Sequence, residues 1–152
     1  MALTRPTTKL TLDGARIILA AAEAKAAGIG VDMDIAIVDD AMHLLAFHRM
    51  DGAKLTSIDV AIGKAYTAAG TRLPTANYAE SAKAGGPAFG INVSNAGKFM
   101  IVKGGLPIKL PTGETIGAVG CSSGSGEQDT EVSQAGIDAL LAALASEQQT
   151  NG

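Results

Sequence analysis

The chain has two histidines, and both fall in the stretch His43-Leu44-Leu45-Ala46-Phe47-His48-Arg49. An imidazole can ligate haem iron or zinc, or serve as acid and base near neutral pH. Residues five apart on a regular strand face opposite ways, so His43 and His48 cannot share one metal without a bulge. Each is either a half-buried strand residue satisfied by a neighbour or a ligand. His48 has the richer surroundings, with Arg49 and Asp51 beside it and a helix following. On that helix Ser57, Ala61 and Lys64 fall on roughly one side. If that side faces the strand end, Phe47 and Ser57 would line a ligand site. Arg49 would grip a carboxylate with its fork, and Lys64 would act as a point charge. The plainer reading of Lys64 is a solvent-facing side chain, or an ion pair with Asp51 or Asp59.

Other residues invite chemistry less directly. Gly104-Gly105 allows close backbone approach and two N–H groups for an oxyanion. The Gly- and Ser-rich segment from Gly120 to Gly126 could do the same. However, Ser125-Gly126-Glu127-Gln128 also matches a capping box, and the Lys-Ser or Lys-Thr of a phosphate loop is missing. Glu127 and Glu131 stand one helical turn apart around Asp129. They either bind a hard cation or ferric iron, or complement a helix dipole. Cys121 is the single cysteine, which excludes an internal disulfide or a thiolate cluster. It reads as a small buried packing residue.

These residues must be positioned by a short list of elements. Leu12, Ala15, Ile18, Leu19 and Ala22 recur at helical spacing after a cap at Thr11 or Asp13, and Gly28 and Gly30 end that helix. Ile35-Ala36-Ile37-Val38 and the His43–Arg49 run form a hairpin through Asp39-Asp40-Ala41. Leu44, Ala46 and His48 then share one face, and His43, Leu45, Phe47 and Arg49 the other. A helix over residues 56–70 buries Ile58, Ala61, Ile62 and Ala65. Pro74 stops it, and a short helix follows over 75–84. Three strands come next: Phe99-Met100-Ile101-Val102, Leu106-Pro107-Ile108-Lys109-Leu110, and residues 115–121. Pro107 has no N–H, which makes its strand an edge or a bulged one. A last helix starts near Ser125 and passes Leu144, with Val132, Ala135, Leu140 and Ala143 inward. Residues 1–8 and 147–152 read as frayed tails.

Length and composition bound the rest. A chain of 152 residues makes one domain, here 1–152. It is 47% hydrophobic but light, with nineteen glycines, three Phe, two Tyr and no Trp. A net charge of -3 without a basic stripe argues against nucleic acid as a partner. No apolar run approaches the roughly 18 residues of a membrane span, and no signal-peptide pattern opens the chain, so a cytoplasmic location is the expectation.

Against that background, Val38-Asp39-Asp40-Ala41-Met42-His43-Leu44-Leu45-Ala46-Phe47-His48-Arg49-Met50-Asp51-Gly52-Ala53 resembles the hairpin signature of the GlcG/HbpS-like family (DUF336, the "haem-degrading" domain). The stretch Ser57-Ile58-Asp59-Val60-Ala61-Ile62-Gly63-Lys64-Ala65-Tyr66 is similar to its central helix. Gly104-Gly105-Leu106-Pro107-Ile108 and Gly117-Ala118-Val119-Gly120-Cys121 are similar to its later strands. The resemblance implies an α+β domain with a profilin-like antiparallel sheet flanked by helices, in the order α-β-β-α-(α)-β-β-β-α, assembled into homo-oligomers. It implies a small-molecule ligand, with haem or another tetrapyrrole foremost and His48 or His43 as iron ligand. Few aromatics are available to wall an internal cavity, so haem would sit in a surface groove or between subunits. Two alternatives stand beside this. One is a cofactor-independent enzyme of small carboxylate or carbonyl catabolism, with His48 as acid/base and Arg49, Lys64 and Gly104-Gly105 holding the anion. The other is an assembly module without chemistry.

Overall fold

The computed structural model covers residues 1–152. In chain order it contains α1 (Leu12–Gly28), β1 (Asp34–Asp39), β2 (Leu44–Arg49), α2 (Ser57–Thr71), α3 (Ala76–Ser81), two 3-10 turns (Ile91–Val93 and Asn95–Gly97), β3 (Gly105–Lys109), β4 (Thr115–Ser122) and α4 (Gly126–Thr150). The strands form one antiparallel sheet in the order β2-β1-β4-β3. The α+β class and the helix-flanked antiparallel sheet are those expected. No helix is long and apolar enough to cross a membrane.

Local signals start and stop the helices where the sequence suggests. Thr11 Oγ1 accepts from Gly14 N (3.1 Å) at the head of α1, and Gly30 follows its end with φ +71°. At α4 the capping box forms: Ser125 Oγ accepts from Gln128 N, and Gln128 Oε1 accepts from Ser125 N. Both unpaired N–H groups are thereby satisfied. The helix continues to Thr150, so only Asn151 and Gly152 remain of the tail expected from 147.

One expected strand is absent. Phe99-Met100-Ile101-Val102 is irregular chain rather than a fifth strand. Its anchors are side chains: Met100 N donates to Thr67 Oγ1 on α2 (2.8 Å), and buried Phe99 meets Tyr78 edge-on at 4.8 Å. A short apolar run signals burial, but it does not say which partner satisfies its backbone.

The sheet has helices on both faces. α1 and α4 cover one side, where Ile18, Ile35, Ile37, Ile108, Val119 and Val132 belong to the larger core. α2 covers the other with alanines, Ala61, Ala65, Ala68 and Ala69, against Ala36, Val38 and Ala118. Small residues let the α2 backbone come close to the sheet; a Cβ on Gly105 would stand 2.5 Å from Lys64 O. Ile58 and Ile62, expected to be buried, are only half-buried, because the alanine side of α2 faces the sheet.

The two layers are tied by one buried ion pair. Lys64 Nζ on α2 donates to Asp129 Oδ2 on α4 (2.7 Å) and to the carbonyl oxygen of Cys121 on β4 (2.9 Å). Its side chain is 3% exposed, that of Asp129 4%. Asp129 Oδ1 also accepts from Gly124 N (2.9 Å). Removing one partner strands a charge away from water, which costs about 3–5 kcal/mol. Chemical denaturation should therefore show Lys64→Met destabilised by about that amount, while adding Asp129→Asn recovers part of it. A loss below about 1 kcal/mol, the range of an exposed pair, would contradict this role.

Candidate functional site

The alternation of β2 divides the candidate residues between two faces. His48 and Ala46 turn toward α1, whereas Phe47 packs against the α2-side cluster. Arg49, one residue past His48, falls on the α2 side with Phe47. His43 is not in β2 at all. It sits in the β1–β2 connection, where its N–H donates to Asp39 Oδ1 (3.0 Å) and its carbonyl accepts from Asp39 N (2.9 Å). The two histidines therefore lie at opposite ends of β2, and no single ion can take both. No three His, Cys, Asp or Glu side chains converge as a metal site.

On the α1 side His48 lies in a shallow groove of about 440 Å³. Leu19, Ala20, Ala24 and Ala27 of α1 form its apolar floor, and Arg16 and Glu23 edge it. His48 Nδ1 is 2.8 Å from Glu23 Oε2, and the imidazole is half exposed. Arg16 Nη1 donates to Asp13 Oδ1 (2.7 Å). Glu23 escapes a sequence reading because its partner lies on a strand beyond a turn. The only local signal is that it continues the same stretch of α1 as the alanines.

On the α2 side the structure reveals a residue that sequence reasoning missed. Asp34 opens β1 opposite Arg49 of β2 and Ser122 of β4, and it is fully buried. Neither carboxyl oxygen has a hydrogen-bond partner in the protein. Register places it under the start of α2. Ala36, two residues on, pairs with Gly120, over which Ala61 and Ala65 of α2 pass, and one turn back from Ala61 is buried Ser57. Burial raises the Asp34 pKa above its ordinary 3.8, and the nearby Arg49 charge opposes that shift. The alternation that puts Ala36 and Val38 toward α2 puts Asp34 there too, which is the signal the sequence offered.

The remaining candidates serve the architecture. Lys64 does not offer its ammonium to a ligand, being sealed against Asp129 and Cys121 O; the partners considered from sequence, Asp51 and Asp59, are not the ones it finds. Gly105 N donates to Thr75 Oγ1 (3.0 Å), so it is not free for an oxyanion. Gly104 has φ +123°, and a Cβ there would stand 2.7 Å from Asp129 Cβ and 2.8 Å from Lys64 Nζ. The glycine pair thus makes room for the ion pair and for α2. Glu127 bonds Lys103 (2.9 Å) and Glu131 bonds Lys25 (2.8 Å), so each acid has its own cation. Burial pushes the Cys121 thiol up to about 12, which keeps it protonated and unreactive at neutral pH.

Comparison with known proteins gives a consistent picture. The family described as "Haem degrading protein HbpS-like" matches residues 10–138. The 15.0 kDa protein of the dhaT-dhaS intergenic region of Citrobacter freundii is 37% identical over 85% of this chain and 90% of its own. The crystal structure of Klebsiella pneumoniae protein ORFY matches with a TM-score of 0.88 at 31% identity, covering 92% of this chain and 96% of that one. That of a PduOC:heme complex matches with a TM-score of 0.81 at 29% identity, covering 87% and 95%.

The unpartnered Asp34 carboxyl makes a pH prediction whose sign is fixed. A carboxyl with a raised folded-state pKa binds its proton more tightly folded than unfolded. Its favourable contribution is complete below the ordinary 3.8 and is lost as pH climbs through the raised value. Urea denaturation of the wild type and Asp34→Asn should show the variant gaining relative stability between about pH 3.5 and neutrality. A difference that stays flat across that range would mean Asp34 ionises unhindered.

Proposed function

Because the chain belongs to the HbpS-like family, we propose that it binds haem in the groove between α1 and β2, with Nε2 of His48 as the iron ligand. The observation that carries this reading is the hydrogen bond between His48 and Glu23 at the rim of an alanine-floored groove. A carboxylate can only accept, so in the neutral imidazole Nδ1 holds the proton and Nε2 keeps its lone pair. Metal-ligating imidazoles are commonly anchored in this way, which fixes the ring and raises its basicity. Ala20, Ala24 and Ala27 recur at helical spacing and lay short methyls along one strip of α1. A flat macrocycle can approach such a strip closely, and the groove's 440 Å³ falls within the ordinary range of ligand sites. Arg16, at the edge, is of the right type for a propionate, although it must leave Asp13 or share itself between the two.

Haem, when bound, supplies an iron centre that can change oxidation state or take up a further ligand. The chain's own part is narrower. His48 orients the group, Glu23 holds the proton on Nδ1, and the α1 methyls keep water from one face. A shallow groove covers only that face, so a second copy of the chain is the proposed cover for the other. Cofactor-free catalysis has less support: His48 and Arg49 face opposite sides of the sheet, and Lys64 is sealed.

Titration of the purified protein with ferric haem, followed in the Soret region, tests the assignment. Wild type should bind saturably. His48→Ala should weaken binding at least about tenfold and move the band, and Glu23→Gln should cost about 10-fold through the loosened ring. An unchanged band and affinity in a folded His48→Ala protein would overturn it.

A further inference from the structure

We propose that the end of the sheet opposite His48 carries a second binding site, for a small oxyanion of the phosphate or dicarboxylate type. Its groove, of about 410 Å³, lies where the N-terminal segment, the end of α2 and the β3–β4 turn meet. β1 runs the length of the sheet from Asp34 to Asp39, so this groove is roughly 17 Å from the His48 end at about 3.4 Å per residue. The two sites are therefore separate.

Charge accounting singles out this groove. Arg5 and Arg72 both line it, and neither has an acidic partner; Arg16 is the only arginine in an ion pair. Of the two acids on the same wall, Asp40 is paired with a lysine, whereas Glu114 keeps its charge and is held by a backbone N–H. Asp40 holds Lys9 Nζ (2.7 Å), and Glu114 Oε1 accepts from Thr8 N (2.9 Å). Those two contacts pin the N-terminal segment across the strand turns, and so bring Arg5 to the groove. Arg72 could be read as a cation placed against the C-terminal dipole of α2. That accounts for one arginine at the helix end. It does not account for a second guanidinium delivered there from the far N-terminus.

Neutral donors complete the site. Thr7 and Thr112 contribute hydroxyls to the wall. Thr115, on the same wall, has a buried Oγ1 with no hydrogen-bond partner. That oxygen is sealed from solvent, so the hydroxyls exposed to the groove are those of Thr7 and Thr112. The frame around them is rigid: Leu110 N donates to Glu114 O (2.9 Å), Gly113 N to Leu110 O (2.8 Å), and Gly113 takes φ +88°. Arg72 itself is held in the left-handed region at φ 61°, with its N–H on Ala68 O. Two planar forks and the two exposed hydroxyls suit an anion with at least two charged oxygens.

Calorimetric titration at low ionic strength, with inorganic phosphate in one arm and succinate in the other, tests the site. Saturable one-to-one binding is expected in at least one arm, weakened tenfold or more in Arg5→Gln/Arg72→Gln and unchanged in the surface control Lys83→Gln/Lys98→Gln. Phosphate alone identifies a phosphoryl ligand, succinate alone a carboxylate, and either supports the proposal. Absence of saturable heat in both arms, or equal affinity in the folded Arg5→Gln/Arg72→Gln protein, overturns it.

Discussion

Everything in this fold is hung on the place where Lys64 reaches Asp129. The ammonium leaves α2, passes Gly104, donates to the Cys121 carbonyl near the end of β4 and ends on α4. Such a pair owes its importance less to net stability than to the cost of any arrangement that separates its halves. It sets α2 against the sheet at one height, and the alanines Ala61, Ala65 and Ala68 then pack at a distance that larger side chains would forbid. It also fixes the start of α4, because Asp129 accepts from Gly124 while the Ser125–Gln128 box closes the turn before it.

The second constraint is the parity of β2. A period of two sends neighbouring side chains to opposite faces, so His48 belongs to the α1 layer and Arg49 to the α2 layer. One sequence motif thereby serves two environments. On one side an imidazole meets a carboxylate above a strip of methyls. On the other a carboxyl, Asp34, is closed under the head of α2 with only a neighbouring guanidinium to temper its burial. The haem proposal rests on the first environment, where a half-exposed imidazole stands over the groove.

Much of the scaffold was legible in the chain itself. The caps at Thr11 and Ser125, the hairpin, the edge position of the Pro107 strand and the antiparallel class all follow from local rules, and the structure has them. Residues 99–102 misled because an apolar run looks the same whether a strand or a helix flank takes up its backbone. The site was legible only in part. His48 stood out by type, but its partner Glu23 could be found only once α1 was laid across β2. Lys64 looked available because nothing in its neighbourhood of the sequence reveals Asp129 on the far side of the sheet. Asp34 hid at the mouth of an apolar strand, where an acid is easily assigned to a turn.

The location of haem is the point on which this picture of the protein turns, and paramagnetic broadening reports it directly. Ferric haem added to the ¹⁵N-labelled protein should broaden the amide signals of residues 19–27 and 46–48 first. Broadening centred on the Asp34–Ser57 side of the sheet or on the Arg5–Arg72 groove, with residues 19–27 and 46–48 left sharp, would contradict it.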